Sequence, residues 1–450
     1  MSLQLNSILL AGLMALAATP AARAAVSAAD AAKLKTELTP LGAERAANKD
    51  GTIPAWTGGL TKPTPGFVNG GRRPDPFADE KPLYSINAKN LAQHESQLTD
   101  GVKALFKRYP DSYRVDVYKT HRTAAAPQWV YDNTAKNALT GKMEGSTPTQ
   151  VSGGIPFPIP TSGEQVMWNH LLRWRGTDVR MSMNGIQTTA EGRSVVTVDG
   201  VVDMTFPYYI DTLPASARSE YWLIRLLNIG PPIRAGESIV GRNNIDEDKT
   251  QSWVYLTGQR RVRKLPASCC DTPTPATAGL MSFDEVGVWT GRTDRFDWKL
   301  VGKQEVVVPY NSNRSMAPNK ATDLVTPRHL NPDHVRWELH RVWVVEATLK
   351  SGHRHQVAKA RYYVDEDSWM AVLGDRWDSN GQLWKTVWAL PFAMPDLPGV
   401  YMGANGFYDL LTGSYFANDV TNEKKGQFEL MPRYKDSAFT PDALAGEGLR

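Results

Sequence analysis

The stretch WELHRVWVVEATLKSGHRHQVAKARYYVDEDSW, which runs from Trp337 to Trp369, contains two alternating segments around a Ser-Gly turn. Because successive side chains of a strand point to opposite faces, the first segment places Trp337, Leu339, Trp343 and Val345 on one strongly apolar face. The other face is mixed, which is typical of a sheet with one side in a hydrophobic interior and the other partly covered. The stretch therefore predicts an antiparallel hairpin that forms one wall of an interior.

Further alternating segments follow Arg175. We predict strands over residues 194–206, 252–257, 259–265, 298–308, 337–349, 355–364, 369–375 and 382–390. The Ser-Asn-Gly sequence at 379–381 favours a tight hairpin turn. Because helices do not alternate regularly with these segments, a parallel doubly wound sheet is disfavoured. The sequence predicts a mainly β (α+β) fold built on a large antiparallel sheet.

The N-terminal part of the chain, residues 25–160, is rich in proline and glycine. We expect it to wrap over the β domain of residues 161–450 and to form one structural unit with it. Three prolines between Gly153 and Pro160 remove donors from any ladder, so this segment is predicted as an extended loop that presents Phe157 and Ile159. Helical patterns are found at 27–38, at 87–108 and from Ser162 onward.

Charge and targeting signals limit the class of protein. The 51 basic and 47 acidic residues are spread along the chain without a concentrated basic field, so nucleic acid is not an expected partner. Residues 1–24 carry an apolar run followed by Pro-Ala-Ala-Arg-Ala, which predicts a signal peptide, although no Lys or Arg precedes the run. No later stretch reaches the ~18 apolar residues that cross a membrane. We expect an exported, soluble protein.

The two cysteines, Cys269 and Cys270, are adjacent in a proline-rich loop. An exported chain of this size with no spaced cysteine pairs does not depend on a disulfide framework, so its stability must come from core burial. A vicinal disulfide, two free thiols and intermolecular pairing all stay open for this pair.

Signatures of catalysis and metal binding are absent from the sequence. No catalytic residue and no cofactor is therefore assigned. His353 and His355 are two residues apart, a spacing that some metal sites use, but no third ligand is specified nearby. The acidic segments 365–367 and 375–381 are interpreted as turns in which Asp and Asn bond their own backbone. No metal is predicted.

Two further patterns are open to a binding interpretation. Arg260, Arg261 and Arg263 belong to the densest basic run, which is either an edge strand protected from aggregation by charge or a rim that binds an acidic lipid head or an acidic partner. The chain also holds 14 Trp, 16 Tyr and 12 Phe residues. These aromatics either fill a thick core or line a cavity sized for a hydrophobic molecule.

Long segments of the chain resemble domain-of-unknown-function family 1329. The segments are LTPLGAERA (38–46), GTIPAWTGG (51–59), GIPFPIP (154–160), WVY (253–255) with GQRRVR (258–263), FDWKLVGK (296–303), WELHRVWVVE (337–346) and YVDEDSW (363–369). They span nearly the whole mature chain. The adjacent cysteines are a departure from the family, so no shared role is inferred for them.

The resemblance implies an exported protein of the Gram-negative periplasm, free or associated with the outer membrane. It also implies a sheet architecture similar to that of the periplasmic lipoprotein carriers and lipoprotein-sorting proteins (LolA/LolB-like). In that architecture a curved antiparallel sheet forms a half-open barrel around a hydrophobic cavity, closed by helices. The implied partners are an inner-membrane transporter and an outer-membrane protein, and the resemblance supplies no catalytic residue.

These observations predict a periplasmic carrier for a lipid or another hydrophobic small molecule. We expect the cavity to be lined by Trp253, Tyr255, Trp337, Leu339, Trp343, Val345, Phe157 and Ile159, with Arg260, Arg261 and Arg263 at its rim. The strand of Trp253 and Tyr255 is expected to neighbour that of Trp337, and His353 and His355 to lie at the solvent-facing hairpin tip.

Two other functions are carried as alternatives. One is a periplasmic hydrolase that uses carboxylates or histidines around His340 and Glu338, which predicts a cleft of titratable groups with shifted pKa values. The other is a non-carrier assembly subunit of an envelope transport complex, which predicts a large exposed apolar patch.

Overall fold

The computed structural model describes residues 26–266 and 268–447, so the predicted signal peptide lies outside the described residues. Its helices are α1 (Ala28–Ala32), α2 (Leu91–His94), α3 (Asp100–Arg108), α4 (Gln128–Thr140), α5 (Gly163–Leu171), α6 (Ala215–Arg218), α7 (Ala321–Leu324) and α8 (Pro441–Glu447). Within the described part of the chain, no helix has both the length and the apolar character needed to cross a membrane.

Strands dominate the structure. They are β1 (Tyr84–Ile86), β2 (Val115–Tyr118), β3 (Lys142–Glu144), β4 (Thr147–Thr149), β5 (Asp178–Thr188), β6 (Ser194–Thr205), β7 (Glu220–Gly230), β8 (Ser238–Asn244), β9 (Gln251–Leu256), β10 (Arg261–Lys264), β11 (Phe296–Pro309), β12 (Trp337–Leu349), β13 (Lys359–Asp365), β14 (Ala371–Trp377), β15 (Leu383–Met394), β16 (Gly399–Asp409), β17 (Tyr415–Val420) and β18 (Phe428–Leu430). The pair β3–β4 is a separate hairpin, and the others form one 16-stranded sheet.

The main path of the sheet runs β1-β2-β12-β13-β14-β15-β16-β17-β5-β6-β7-β8-β9-β10, and β11 pairs with β12 outside this path. Strand β18 pairs with β5, and β2, which carries β1 beside it, joins the start of β12. The β2–β12 pairing is parallel, whereas the others are antiparallel. The predicted fold class, a mainly β protein with a large antiparallel sheet covered by helices and proline-rich loops, is confirmed.

One face of the sheet encloses α5. Buried side chains from β11, near one end of the path, to β9, near the other end, belong to a single hydrophobic cluster that also contains Val166, Met167, Trp168 and Leu171 of α5. Because distant strands reach the same cluster, the sheet curves around this helix. The large aromatics Trp168, Trp289, Trp369 and Phe416 of this cluster are fully buried.

The opposite face is covered by the proline-rich N-terminal segment. Val102 and Leu105 of α3 and Val115 and Val117 of β2 pack in a second cluster with residues of β12, β14 and β15. The N-terminal segment therefore contributes both strands and cover to the sheet, and the sheet is apolar on both faces along much of its length.

The prediction of one continuous helix over residues 87–108 is wrong. The structure has α2, a 3-10 helix at Glu95–Gln97 and then α3. The break arises because Thr99 adopts an extended conformation and caps α3, its side chain accepting a hydrogen bond from the Val102 N–H. A Thr N-cap competes with continuation of the preceding helix.

The hairpin of β12 and β13 forms as predicted, but one of the two histidines expected to face solvent at its tip has a buried side chain. His353 is exposed, whereas the His355 side chain is 1% exposed and its Nε2 lies 3.0 Å from Asp284 Oδ2. Strand β13 begins only at Lys359. The residues before it turn inward to meet a buried carboxylate, so the predicted solvent-facing position of His355 is wrong.

Candidate functional site

Helix α5 is positioned by the residues at its start. The Ser162 side chain accepts a hydrogen bond from the Gln165 N–H at 3.3 Å and so satisfies a free donor of the first turn. Gly163 allows a close approach to β12, because a Cβ at this position would lie 2.8 Å from Val345 Cγ1. Apart from Glu164, the helix is buried on every side. This burial is typical of a helix enclosed by a core.

Two polar side chains of α5 hold the neighbouring loops. Asn169 accepts a hydrogen bond from the Phe157 N–H at 2.9 Å and donates to the Phe157 carbonyl at 2.7 Å. His170 Nδ1 accepts from the Ala371 N–H at 2.8 Å, and His170 Nε2 lies 3.0 Å from the Trp289 carbonyl. These partners require the neutral tautomer with its proton on Nε2, and burial holds the pKa of His170 well below its usual value.

A cavity of about 70 Å³ lies at the C-terminal end of α5, on the inner side of the sheet. Most of its wall is apolar and comes from Met181, Met204, Phe206, Trp222, Val286, Gly287, Met370, Tyr401, Met402 and Phe428. The remaining wall residues are Arg173, Arg175, Asn405 and Asp419. We call this space the arginine cavity. Its methionine side chains are flexible and polarizable, and such side chains adapt to ligands of different shape.

The two arginines follow α5 directly. Arg173 is 5% exposed, and its Nη1 donates to the His170 carbonyl at 2.5 Å. Arg175 is partly buried, and its Nη2 donates to the Leu171 carbonyl at 3.2 Å. Both side chains therefore bind carbonyl groups at the helix end, where a positive charge interacts favourably with the helix dipole.

The charges of these arginines have no acidic partner. In the ranges 26–266 and 268–447, no carboxylate forms an ion pair with Arg173 or Arg175. The Arg175 guanidinium instead lies 4.3 Å from the ring centroid of Phe206 and 5.3 Å from that of Trp222. Burial lowers the pKa of both guanidinium groups, and the charge of Arg175 lowers the pKa of Arg173 further. The cavity thus holds two buried positive charges.

Asp419 is the acidic residue of the cavity wall. Its Oδ2 accepts a hydrogen bond from Asn405 Nδ2 at 2.7 Å, and its Oδ1 accepts from Asn418 Nδ2 at 3.1 Å. Burial raises the pKa of Asp419 to about 7. This carboxyl group therefore changes its charge near neutral pH.

The residues predicted to line one wall lie in three separate clusters. Phe157, Trp343 and Val345 pack in the inner cluster, and Ile159 is partly exposed. Trp337 and Leu339 belong to the outer cluster, because the start of β12 leaves β13 and pairs with β2 of the N-terminal segment. The expected single wall is therefore wrong, although the inner position of Trp343 and Val345 agrees with the alternation of β12.

Trp253 and Tyr255 lie far from the hairpin in the sheet. Strand β9 is separated from β12 by nine strands along the main path, so the predicted neighbourhood is wrong. Tyr255 belongs with Leu444 of α8 to a third cluster, against which Trp253 packs, whereas Val254 belongs to the inner cluster. The strong alternation of β9 identified a strand but could not identify which face of it meets the interior.

His340 and Glu338 lie in a buried ion-pair network. His340 Nε2 is 3.0 Å from Glu338 Oε2, its Nδ1 is 3.5 Å from Asp365 Oδ1, and the Tyr310 ring lies at 3.9 Å. Burial lowers the pKa of His340, but the carboxylates of Asp365 and Glu338 raise it more, to about 9. The His340 side chain is 1% exposed. The network neutralises charge inside the protein, and its members His340, Glu338 and Asp365 are buried.

The same network contains a group with the composition of a metal site. Ligand atoms of His340, Asp365 and Asp367 lie within 4.8 Å of one another. Asp367, however, already binds the Arg122 guanidinium through both oxygens, at 2.8 and 2.7 Å. Asp365 also forms the predicted turn, accepting the Ser368 N–H at 2.8 Å. Ion pairing therefore explains how the carboxylates of Asp365 and Asp367 can be buried, although both residues belong to a turn.

The basic run lies on an edge strand away from the arginine cavity. β10 pairs with β9, Arg261 and Arg263 are exposed, and Arg260 occupies the preceding turn. β10 therefore lies at the edge of the sheet, and none of the three arginines is part of the cavity wall.

The two cysteines are present as free thiols, with Cys270 buried and Cys269 partly buried. A hydrogen bond from Cys270, together with the charges of Arg295 and Arg292, lowers the pKa of Cys269 to about 7 against the effect of burial. The pKa of Cys270 is raised. One of the two thiols is therefore activated.

The sequence analysis missed Arg173, Arg175 and Asp419. A signal for the arginines exists, because Arg173-Trp174-Arg175 interrupts an apolar run directly after a well-capped helix. Asp419 carries no comparable signal, since its burial depends on where β17 lies in the sheet.

Comparison with known proteins gives one family. The family described as "Protein of unknown function (DUF1329)" matches residues 85–445. An uncharacterized protein from Pseudomonas aeruginosa is 40% identical over 433 residues, which is 95% of each chain.

Solved structures with a similar chain trace are more distant. A DUF1329 family protein from Desulfovibrio piger has a TM-score of 0.41 at 13% identity and covers 60% of this chain and 92% of its own. A putative outer membrane lipoprotein-sorting protein domain from Vibrio parahaemolyticus has a TM-score of 0.44 at 11% identity, with coverage of 62% and 97%.

Proposed function

This chain belongs to the DUF1329 family, and we propose that it is a periplasmic binding protein that carries a lipid or another hydrophobic molecule between an inner-membrane transporter and the outer membrane. The arginine cavity is the observation that supports this proposal. It is an interior space lined mainly by methionine and aromatic side chains, and the curved sheet and α5 surround it. The signal peptide predicted from the sequence supports the periplasmic location.

The physical basis of binding is burial of apolar surface, which contributes about 25 cal/mol per Å². Ligand pockets for drug-sized molecules have volumes of roughly 300–1,000 Å³, and the arginine cavity has about 70 Å³. A ligand with a long chain must therefore displace the cavity side chains. Met181, Met204, Met370 and Met402 can change rotamer at low cost, and movement of the loop at Val286 and Gly287 would admit the ligand.

The proposal is tested by native mass spectrometry and organic extraction of protein purified from its own periplasm. We expect a hydrophobic molecule to co-purify with the wild type. Met402→Trp, which adds a large ring to the cavity wall, should abolish retention. Leu411→Trp, which places the same ring at an exposed position, should leave retention unchanged.

The opposite outcome would contradict the carrier function. A protein of clean apo mass that takes up nothing from a mixture of phospholipids, fatty acids and fatty alcohols is not a carrier. That result would favour the assembly subunit among the alternatives.

A further inference from the structure

We propose that the arginine cavity recognises the acidic headgroup of an amphiphile, a carboxylate or phosphate, through Arg173 and Arg175. This inference rests on the proposed function and specifies the class of cargo. The cargo would place its anionic head at the end of α5 and its apolar chain among the methionine and aromatic side chains of the same wall.

The first argument concerns unused hydrogen-bond donors. A guanidinium carries five N–H donors in a planar fork that matches two oxygens of a carboxylate or phosphate. Arg173 gives one bond to the His170 carbonyl, and its Nε is buried without a hydrogen-bond partner. A buried donor that lacks a partner destabilises the protein. A ligand that accepts a hydrogen bond from this donor removes the cost, and the bond therefore contributes to the affinity of the ligand.

The second argument comes from the other buried arginines of the chain. Arg336 binds Glu338 at 2.5 Å, and Arg122 binds Asp367. Arg376 lies 3.5 Å from Asp284. Arg173 and Arg175 depart from this pattern, because a buried and a partly buried positive charge lie two residues apart, and no carboxylate of residues 26–266 or 268–447 is bound to either. Buried charges are costly unless they are paired, so an anion is the missing partner.

Capping of α5 explains only part of this arrangement. A cation at a helix C-terminus is favourable, and each arginine does bind one carbonyl of the last turn. An exposed lysine or arginine would provide the same cap without the burial. Contact of the Arg175 guanidinium with the rings of Phe206 and Trp222 holds it within the apolar wall, where its N–H groups can meet two oxygens of a headgroup.

Size and local charge are consistent with a headgroup. A water molecule needs roughly 10–15 Å³ of cavity space, so a cavity of about 70 Å³ holds a group of a few heavy atoms without rearrangement. Asp419 opposes an anion when it is ionised, and its oxygens accept hydrogen bonds from Asn405 and Asn418. The surrounding methionine and aromatic wall favours an amphiphile over a free inorganic anion.

The test compares ligands that differ only in the headgroup. Binding of palmitate, 1-hexadecanol, hexadecyl phosphate and inorganic phosphate is measured by calorimetry on the full mature protein at one pH. We expect the wild type to bind palmitate and hexadecyl phosphate at least tenfold more tightly than 1-hexadecanol. Arg173→Gln and Arg175→Gln should each reduce this preference to less than threefold while still binding 1-hexadecanol.

Two control variants test whether the loss of preference is specific to the position of the charge and to the guanidinium group. Arg354→Gln removes a positive charge at an exposed position and should leave the preference intact. Arg173→Lys keeps the charge without the fork and should retain part of the preference.

The remaining outcomes overturn one proposal or both. Equal affinity of the wild type for palmitate and 1-hexadecanol overturns the headgroup inference and leaves the carrier function standing. Inorganic phosphate that binds as tightly as hexadecyl phosphate identifies a site for a free anion and overturns the assignment to an amphiphile. Failure to bind any of the chain-bearing ligands overturns the carrier function, and the inference with it.

Discussion

Asn169 of α5 binds both the backbone N–H and the backbone carbonyl of Phe157, at 2.9 and 2.7 Å. Phe157 lies in the proline-rich loop, where neighbouring prolines leave few ladder partners. A single amide side chain thus replaces the two hydrogen bonds that a neighbouring strand would supply. The contact fixes the loop to the helix that the sheet encloses.

Asn169→Ala should lower the free energy of unfolding by about 3 kcal/mol, because it leaves a buried donor and a buried acceptor of Phe157 without partners. Urea unfolding followed by circular dichroism measures the change. Asn380→Ala, at an exposed turn, is the matched control and should change the stability by less than about 0.5 kcal/mol. Equal effects of the two substitutions would show that the contact to Phe157 contributes nothing.

Gly163→Ala should destabilise the protein by about 1–3 kcal/mol, since the added methyl group would lie 2.8 Å from Val345 Cγ1 and 3.0 Å from the Lys299 carbonyl carbon. The measurement is again the urea midpoint. Gly258→Ala introduces the same methyl group where no atom lies within 4 Å and serves as the control. A stability for Gly163→Ala equal to that of the control would mean that α5 can move away from β12 freely.

The strands were the most predictable elements. Residues 337–349 were predicted as a strand with the bounds that β12 has, because its alternation is long and uninterrupted. Strands β5, β7, β8, β16 and β17 were not predicted, although β7 and β16 have 11 residues each. Their sequences carry apolar residues on both faces, which weakens the alternation on which the prediction depends.

The candidate site was much harder to predict from the sequence. Local alternation assigned Trp337 and Trp253 to a common wall, but which face of a strand meets the interior depends on the order of strands in the sheet. That order is non-local, since β17 pairs with β5 although more than 200 residues lie between them in the sequence. Arg173 was visible only as a charge in an apolar run, and its lack of a carboxylate depends on every neighbouring element.

Stability should fall as the pH rises from 6.5 through about 9, because of His340. In the folded protein burial lowers its pKa but Asp365 and Glu338 raise it more, to about 9 from the usual 6.5. The stabilisation is fully present below pH 6.5, where both states are protonated, and is lost above about 9. The full difference corresponds to about 3 kcal/mol.

Urea unfolding at pH 6 and pH 9.5 measures this loss in the wild type and in His340→Gln. The variant should lose about 3 kcal/mol less between the two pH values, whatever its stability at pH 6. His353→Gln, at an exposed histidine, should behave as the wild type does. A wild type and a His340→Gln variant with the same pH dependence would contradict the assigned charge of His340.

Cys269 should react with iodoacetamide with a midpoint near pH 7. A hydrogen bond from Cys270 and the charges of Arg295 and Arg292 lower its pKa, and the thiolate is the reactive form. Mass spectrometry after short exposures between pH 5.5 and 9 gives the midpoint. Cys270→Ala removes the donor and should shift the midpoint upward. In Cys269→Ser the remaining Cys270 should stay unmodified, because it is only 4% exposed.

Binding of an anionic amphiphile should weaken as the pH rises through about 7, because Asp419 ionises in the wall of the arginine cavity. Below this pH the carboxyl group is neutral, and above it a negative charge repels the headgroup. Arg173, Arg175 and Tyr401 are the other titratable groups of the wall. The arginines stay charged, and burial raises the pKa of Tyr401 to about 12, so none of them titrates in this range.

Hexadecanesulfonate is the suitable probe, since its own charge is constant between pH 6 and 8.5. Its affinity for the wild type should fall by roughly threefold to tenfold over this range, about 0.7–1.4 kcal/mol, and Asp419→Asn should abolish the dependence. The affinity for 1-hexadecanol should not change with pH in either protein, because an uncharged head does not interact with the carboxylate. A pH dependence that persists in Asp419→Asn would place the titrating group elsewhere and separate Asp419 from the binding site.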